Sequence, residues 1–179
     1  HLVDVVAGLR ALGGATQASV WRRIGAAVAA LRRLGGGDAA DGIAHLVGDL
    51  VGPLLADESA DPEVRGIAWR LAGTLGTDAD LVEASRRKVA SPDGVHPELM
   101  AASLDVYAAH GGDAELDHLW QAHRNAATPQ DERRHLNALV RIGTESAFRR
   151  ALDLCRTEVR TQDAPYQLAL AMAHTDHGP

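Results

Sequence analysis

Pro62-Glu63, Gly76, Asp78 and Leu81 recur as Pro97-Glu98, Gly111, Asp113 and Leu116, and again as Pro129-Gln130, Gly143, Glu145 and Phe148. In each copy a Gly stands fourteen residues after the Pro, an acid two residues beyond it, and a large apolar side chain nineteen residues after the Pro. Pro97 follows Pro62 by 35 residues and Pro129 follows Pro97 by 32. That period belongs to stacked helical hairpins. A helix of about fourteen residues spans roughly 20 Å, so each copy is one compact hairpin. A single hairpin leaves its apolar face open, so neighbours have to stack. The pattern predicts an all-α fold: a right-handed α-solenoid of stacked antiparallel helical hairpins, HEAT- or armadillo-like. It forms a single repeat domain over 1–179, with hairpins near 61–90, 96–125 and 128–157.

Within a copy, each residue type has a physical place. Pro suits the first helical turn, where its missing N–H costs nothing. Asp61 and Thr128 are good caps ahead of two of the prolines, and Thr128 with Asp131 has the form of a capping box. Gly76, Gly111 and Gly143 are placed to adopt the left-handed conformation that ends a helix. Thr77 and Thr144 then cap the second helix, and the acid after them meets the positive end of its dipole. Core positions agree across copies: Trp69, Leu104 and Leu136, then Leu71 with Ala72, Val106 with Tyr107, and Ala138 with Leu139. Loops are expected at Ser91–Gly94 and Arg124–Thr128.

Three helices precede the repeats. Leu2, Val5, Val6, Leu9 and Leu12 keep helical spacing, and Gly13-Gly14 closes that helix. Thr16 is placed to cap the next, which carries Val20, Ile24, Val28, Leu31 and Leu34 on one face with Trp21 beside them. Arg32 and Arg33 complement its last turn. A third helix presents Ile43, Leu46, Val47, Leu50, Val51 and Leu54. Pro53 removes a hydrogen bond there, so a kink or an early stop is expected near Gly52-Pro53.

Composition agrees with a helical chain. Of the 179 residues 46% are apolar but only 3% are aromatic, and the remainder is rich in Ala, the strongest helix former. The formal charge of −6 disfavours a nucleic-acid surface, which needs a basic stripe. Paired arginines such as Arg149-Arg150 read as solvated faces. No apolar run is long enough to span a bilayer, so no membrane partner is expected. A single Cys, Cys155, precludes an internal disulfide and fits a reducing, cytoplasmic setting. His1 in place of an initiating Met points to a piece of a longer polypeptide. Arg-rich, Lys-poor usage points to a GC-rich bacterial genome.

Chemistry is sparse. Glu115-x-x-His118 and Glu132-x-x-His135 each put a carboxylate and an imidazole on one helix face, as di-iron bundles do, but two further glutamates are missing. In the repeat frame Leu116 and Leu119 take the buried face and turn His118 outward, so solvated pairs are expected rather than a metal site. His-Glu-x-x-His is absent, so this chain builds no protease zinc site. Cys155 fits a small core residue. Trp21, Trp69 and Trp120 fit core anchors. The one over-specified polar stretch is Val159-Arg160-Thr161-Gln162-Asp163-Ala164-Pro165-Tyr166, between two helices. There Asp163 can cap the second helix, with Arg160 paired to Asp163 or, with Gln162, bracing neighbouring carbonyls. Alternatively these groups face an anionic or peptide ligand.

That stretch resembles the Val-Arg-x-Gln-Asp/Asn segment in the C-terminal helical domain of the aminopeptidase N family of zinc metallopeptidases. Ala127-Thr128-Pro129-Gln130-Asp131-Glu132-Arg133 through Ala138-Leu139 resembles a helix of the same domain. So does His96-Pro97-Glu98-Leu99 through His110-Gly111-Gly112-Asp113, and so does Ser19-Val20-Trp21-Arg22-Arg23-Ile24. The matches run through nearly the whole chain in order. The family's zinc and exopeptidase motifs lie in an upstream domain that this sequence lacks, so no catalytic or zinc residue is carried over. The resemblance implies a non-catalytic domain forming the wall of a substrate chamber in an enzyme that releases N-terminal amino acids from peptides. It implies zinc in the upstream catalytic domain and no cofactor in this chain. The implied partners are that catalytic domain and peptide substrates, with Arg160, Gln162 and Asp163 as chamber-facing residues. The alternative is a stand-alone α-solenoid protein-interaction module without enzymatic activity. A DNA-binding helical repeat is disfavoured by charge.

Overall fold

The computed structural model describes residues 2–76 and 78–178, and every regular element among them is helical. Ten α-helices follow in order: α1 Leu2–Ala11, α2 Ala18–Gly35, α3 Ala40–Ala56, α4 Pro62–Leu75, α5 Ala79–Ala90, α6 Pro97–Ala109, α7 Asp113–Arg124, α8 Pro129–Leu139, α9 Glu145–Thr157 and α10 Ala164–Met172. A short 3₁₀ turn, Gly37–Ala39, leads into α3. The three repeats are the pairs α4/α5, α6/α7 and α8/α9, with the predicted Gly between the helices of each pair. The chain clusters into two compact units, residues 1–103 and 104–179.

In the first unit α3 lies along α4, α2 packs on both, α1 rests on α3, and α5 returns against α4. Trp21, Ile24 and Val28 of α2 are fully buried with Val47 and Val51 of α3 and Val64 of α4. The Trp21 indole N–H donates to the Ala15 carbonyl at 2.7 Å, which fixes the loop before α2. Thr16 does not cap that helix: Gln17 holds the cap position, with no side-chain bond. Nor does the apolar face extend as far as expected. Val5, Leu12 and Leu34 are exposed, and Leu34 almost entirely so, because α2 runs about two turns past its last buried residue, Val28. The side chain of Leu2, like Thr77, lies outside the described residues. Pro53 does not stop α3, which continues to Ala56. Pro53 and Asp49 both sit on the exposed face, so water can take the Asp49 carbonyl that loses its N–H partner.

In the second unit α7 packs along α8, α9 against α7 and α10, and α10 also touches α8. Leu104, Leu116, Leu119, Leu139 and Ile142 are almost wholly buried, with Phe148 closing the α9 side. The repeat positions Leu81, Leu116 and Phe148 are all in the core, as their spacing predicts. Trp69, Tyr107 and Trp120 are only half-buried. Trp69 donates to Ser85 Oγ at 2.8 Å and carries the Lys88 ammonium 5.0 Å from its ring centre. Its polar edge is therefore satisfied within the protein, since Ser85 is fully buried.

The hairpin turns correct the expected role of glycine. Among the described residues only Gly36 and Gly94 have positive φ; Gly76, Gly111 and Gly143 do not. Their need is for space. A Cβ on Gly76 would strike the Ala72 carbonyl oxygen, and one on Gly111 would stand 2.6 Å from Glu115 Cβ. Capping is also redistributed. Asp61 accepts from the amides of Glu63 and Val64 at 2.8 and 3.2 Å, as predicted. Asp78 is itself the cap of α5, accepting from Leu81 N at 3.0 Å. Thr144 occupies the α9 cap position without a side-chain bond. Thr128 accepts from Asp131 N at 3.1 Å, but its hydroxyl donates to the Asp131 carboxylate at 2.6 Å, so the reciprocal backbone bond of a capping box is replaced by a side-chain one.

Candidate functional site

The polar stretch after α9 is folded by its own backbone. Val159 N donates to Leu154 O at 3.2 Å and completes the end of α9. The amides of Asp163 and Ala164 then donate to the Arg160 carbonyl at 2.8 and 3.0 Å, a tight turn that starts α10. Pro165 sits in the first turn of α10, where no N–H is required. Asp163 holds the cap position but makes no side-chain cap bond. Arg160 does not pair with Asp163, and it is not buried. Its guanidinium reaches back to α8 and donates to Glu132 Oε1 at 3.0 Å, with about two thirds of its side chain exposed.

That ion pair is the ridge between two cavities, for Arg160 and Glu132 line both. The larger, about 760 Å³, lies between α8 and α10. Arg160, Gln162 and Asp163 all border it, joined by Arg133, Leu136 and Asn137 of α8 and by Tyr166, Gln167 and Leu170 of α10. The smaller, about 470 Å³, is bordered by Trp120, His123 and Arg124 at the end of α7 and by Glu158. The His123 ring stacks on Trp120, centroids 5.1 Å apart. Its Nδ1–H donates to the Glu132 carbonyl at 3.0 Å, which orients the ring.

At the larger cavity the Gln167 amide donates to Asn137 Oδ1 at 2.9 Å, tying α10 to α8. Gln167 is only 3% exposed, and its Oε1 has no hydrogen-bond partner among the described residues. The exposed rim carries Tyr166, 72% accessible, so the site offers an aromatic edge, two guanidinium groups, two carboxylates and three carboxamides. Such a mixture can hold the alternating amide and side-chain groups of an extended peptide. The three residues singled out in the sequence are thus brought together, but as rim groups. Glu132 and Asn137 were not legible as their neighbours, because α8 contributes them across a separation of about thirty residues, and Gln167 lies on α10 just past the stretch the sequence singles out.

The two Glu-x-x-His pairs are occupied by structure. Glu115 accepts the Gly112 amide at 2.8 Å at the start of α7, and His118, exposed as predicted, meets the Tyr107 hydroxyl through Nδ1 at 3.0 Å. Glu132 serves Arg160, while His135 donates from Nδ1 to the Asp131 carbonyl at 2.8 Å. Burial holds His135 below the ordinary imidazole value, so it stays neutral. Among the described residues no group of three His, Cys, Asp or Glu side chains converges on a point that could hold a metal. Cys155 is buried, and desolvation pushes its thiol up to about 11, the state of a core residue rather than a nucleophile. No described helix is long and apolar enough to cross a membrane.

Helices packed on their neighbours, with a polar cavity at the α9–α10 turn, define an all-α, solenoid-like arrangement. A family model described as the ERAP1-like C-terminal domain matches residues 1–178. The chain belongs to that family, the C-terminal domain of aminopeptidase-like proteins. A search of curated proteins returned no match.

Proposed function

We propose that this chain is part of the wall of the substrate chamber in a zinc-dependent aminopeptidase, non-catalytic itself, and that the α8–α10 cavity faces the peptide. The observation that carries this is the convergence of Arg160, Gln162 and Asp163 on one cavity of about 760 Å³. Family membership supplies the context of an aminopeptidase-like polypeptide. The partner is the catalytic domain of the same polypeptide, which would hold the zinc and with it the Lewis-acid chemistry of peptide hydrolysis. HEAT-like stacking of the hairpins is part of the same reading. The residues of this chain bind and orient the distal part of the peptide, and exclude water from it.

The test is Arg160→Ala with Gln162→Ala in the full-length enzyme. The exposed Arg160–Glu132 pair contributes little to folding, about 1 kcal/mol or less. KM for long peptides should rise about tenfold, since losing a charge-assisted hydrogen bond costs about 1.5 kcal/mol or more. KM for a single-residue chromogenic amide, too short to reach the wall, should not change. Equal KM for both substrates in both proteins would overturn the proposal. A second reading, a stand-alone interaction module, is favoured by the exposed Tyr166 and Met172 on α10. An intact short reading frame without an upstream His-Glu-x-x-His would support it.

A further inference from the structure

The segment after α10 is held by one imidazole in one protonation state. The His174 Nε2 lies 3.2 Å from the Ile142 carbonyl oxygen, which can only accept, so Nε2 carries the proton. The His174 Nδ1 lies 3.2 Å from the amides of both Asp176 and His177, which can only donate, so Nδ1 must present its lone pair. A neutral Nε2–H ring satisfies all three bonds, and an imidazolium satisfies only the first. The neighbouring His177 differs: its Nε2–H donates to the Gly143 carbonyl at 2.8 Å, a bond that a charged ring keeps. Both rings pack against Phe148 of α9, at 4.9 and 5.5 Å between centroids, and lie 4.9 Å from each other.

We propose that His174–Gly178 is a pH-operated latch, closed onto the α8–α9 turn while His174 is neutral and released when His174 takes a second proton. Release frees the end of α10, the helix that carries Asp163, Tyr166, Gln167 and Leu170 along one side of the larger cavity. Among the described residues the bonds at Nδ1 come from the Asp176 and His177 amides, both donors. From α9 the ring meets uncharged Phe148. From the α8–α9 turn it meets the carbonyls of Arg141 and Ile142, and the Arg141 guanidinium is engaged 3.1 Å from Asp105. On its own segment Asp176 favours the charged ring, while His177 opposes it. Burial is the largest influence and keeps His174 below the ordinary 6.5. With the folded value depressed, the latch is complete above about pH 6.5 and is lost as pH falls through the folded value.

Residue-resolved hydrogen exchange and ring ¹⁵N NMR test this. At about pH 7.5 the His174 ring should show a bare Nδ1 and a protonated Nε2. Protection of the Asp176 and His177 amides, corrected for intrinsic rates, should fall as pH drops below about 6.5, by up to about tenfold at about pH 5.5. In His174→Asn, whose Oδ1 replaces Nδ1 as acceptor and does not titrate, protection should be flat across that range. A charged or Nδ1–H ring at neutral pH would overturn the latch, and so would wild-type protection that ignores pH. The same loss in His174→Asn would move the switch to another group and also overturn it. The ring measurement stands on wild-type protein alone, so it holds even if the variant fails to fold.

Discussion

The amide of Gly143 donates to the carbonyl oxygen of Ala108 at 3.0 Å. This ties the turn between α8 and α9 directly to the open C-terminal end of α6, one repeat earlier. A helix leaves its last carbonyls without intrahelical partners, so an amide from the next hairpin is an efficient cap. The neighbouring Ala109 carbonyl fills the place where a side chain on residue 143 would have to stand. Gly143 is therefore an inter-hairpin contact, set by distance rather than by φ, while Gly76 and Gly111 are crowded by their own hairpins.

Gly143→Ala should destabilise the protein by roughly 2–3 kcal/mol, since the obstruction is backbone and cannot rotate away. Gly112→Ala is the control. A Cβ there meets Thr144 at an ordinary 3.6 Å, so the change should stay within about 0.5 kcal/mol. Denaturant midpoints of the two variants check the difference, and equal midpoints would show that the close approach has no energetic weight.

Thr128 and Asp131 form a small electrostatic unit at the start of α8. The Thr128 hydroxyl is the largest cause holding the Asp131 carboxyl below its usual 3.8, with Arg134 adding to it. A depressed carboxyl stabilises the fold above its unfolded value and loses that contribution as pH falls through the folded one. In Thr128→Val the Asp131 pKa, followed by NMR, should return toward 3.8. Neutral-pH stability should fall by about 1 kcal/mol from the lost cap. An unchanged pKa would place the cause elsewhere.

Cys155 tests the core reading. With its thiol pushed up to about 11, the thiolate fraction near pH 8 is about one in a thousand. Alkylation of the native protein should then be far slower than that of the denatured chain and should track global unfolding. Rapid modification under native conditions would mean an opening of α9 that the packing of Phe148 and Ala151 does not suggest.

The sequence by itself determined the hairpins. Pro62, Pro97 and Pro129 begin helices, the Gly residues separate paired helices, and Leu81, Leu116 and Phe148 reach the core, because these depend on spacing along one chain. It also brought out the Arg160–Asp163 stretch, whose composition is unusual for a turn. Tertiary structure decided the rest. Whether Gly143 needs freedom or space depends on where the Ala109 carbonyl lies, thirty-four residues away. Whether Arg160 pairs with Asp163 or with Glu132 depends on how α8 approaches the α9–α10 turn. Pro53 stays inside α3 because its face is exposed, and His174 becomes a latch only once Ile142 is folded against it. Local pattern fixes which segments are helical; only packing brings distant polar groups within hydrogen-bond reach and so decides what each one does.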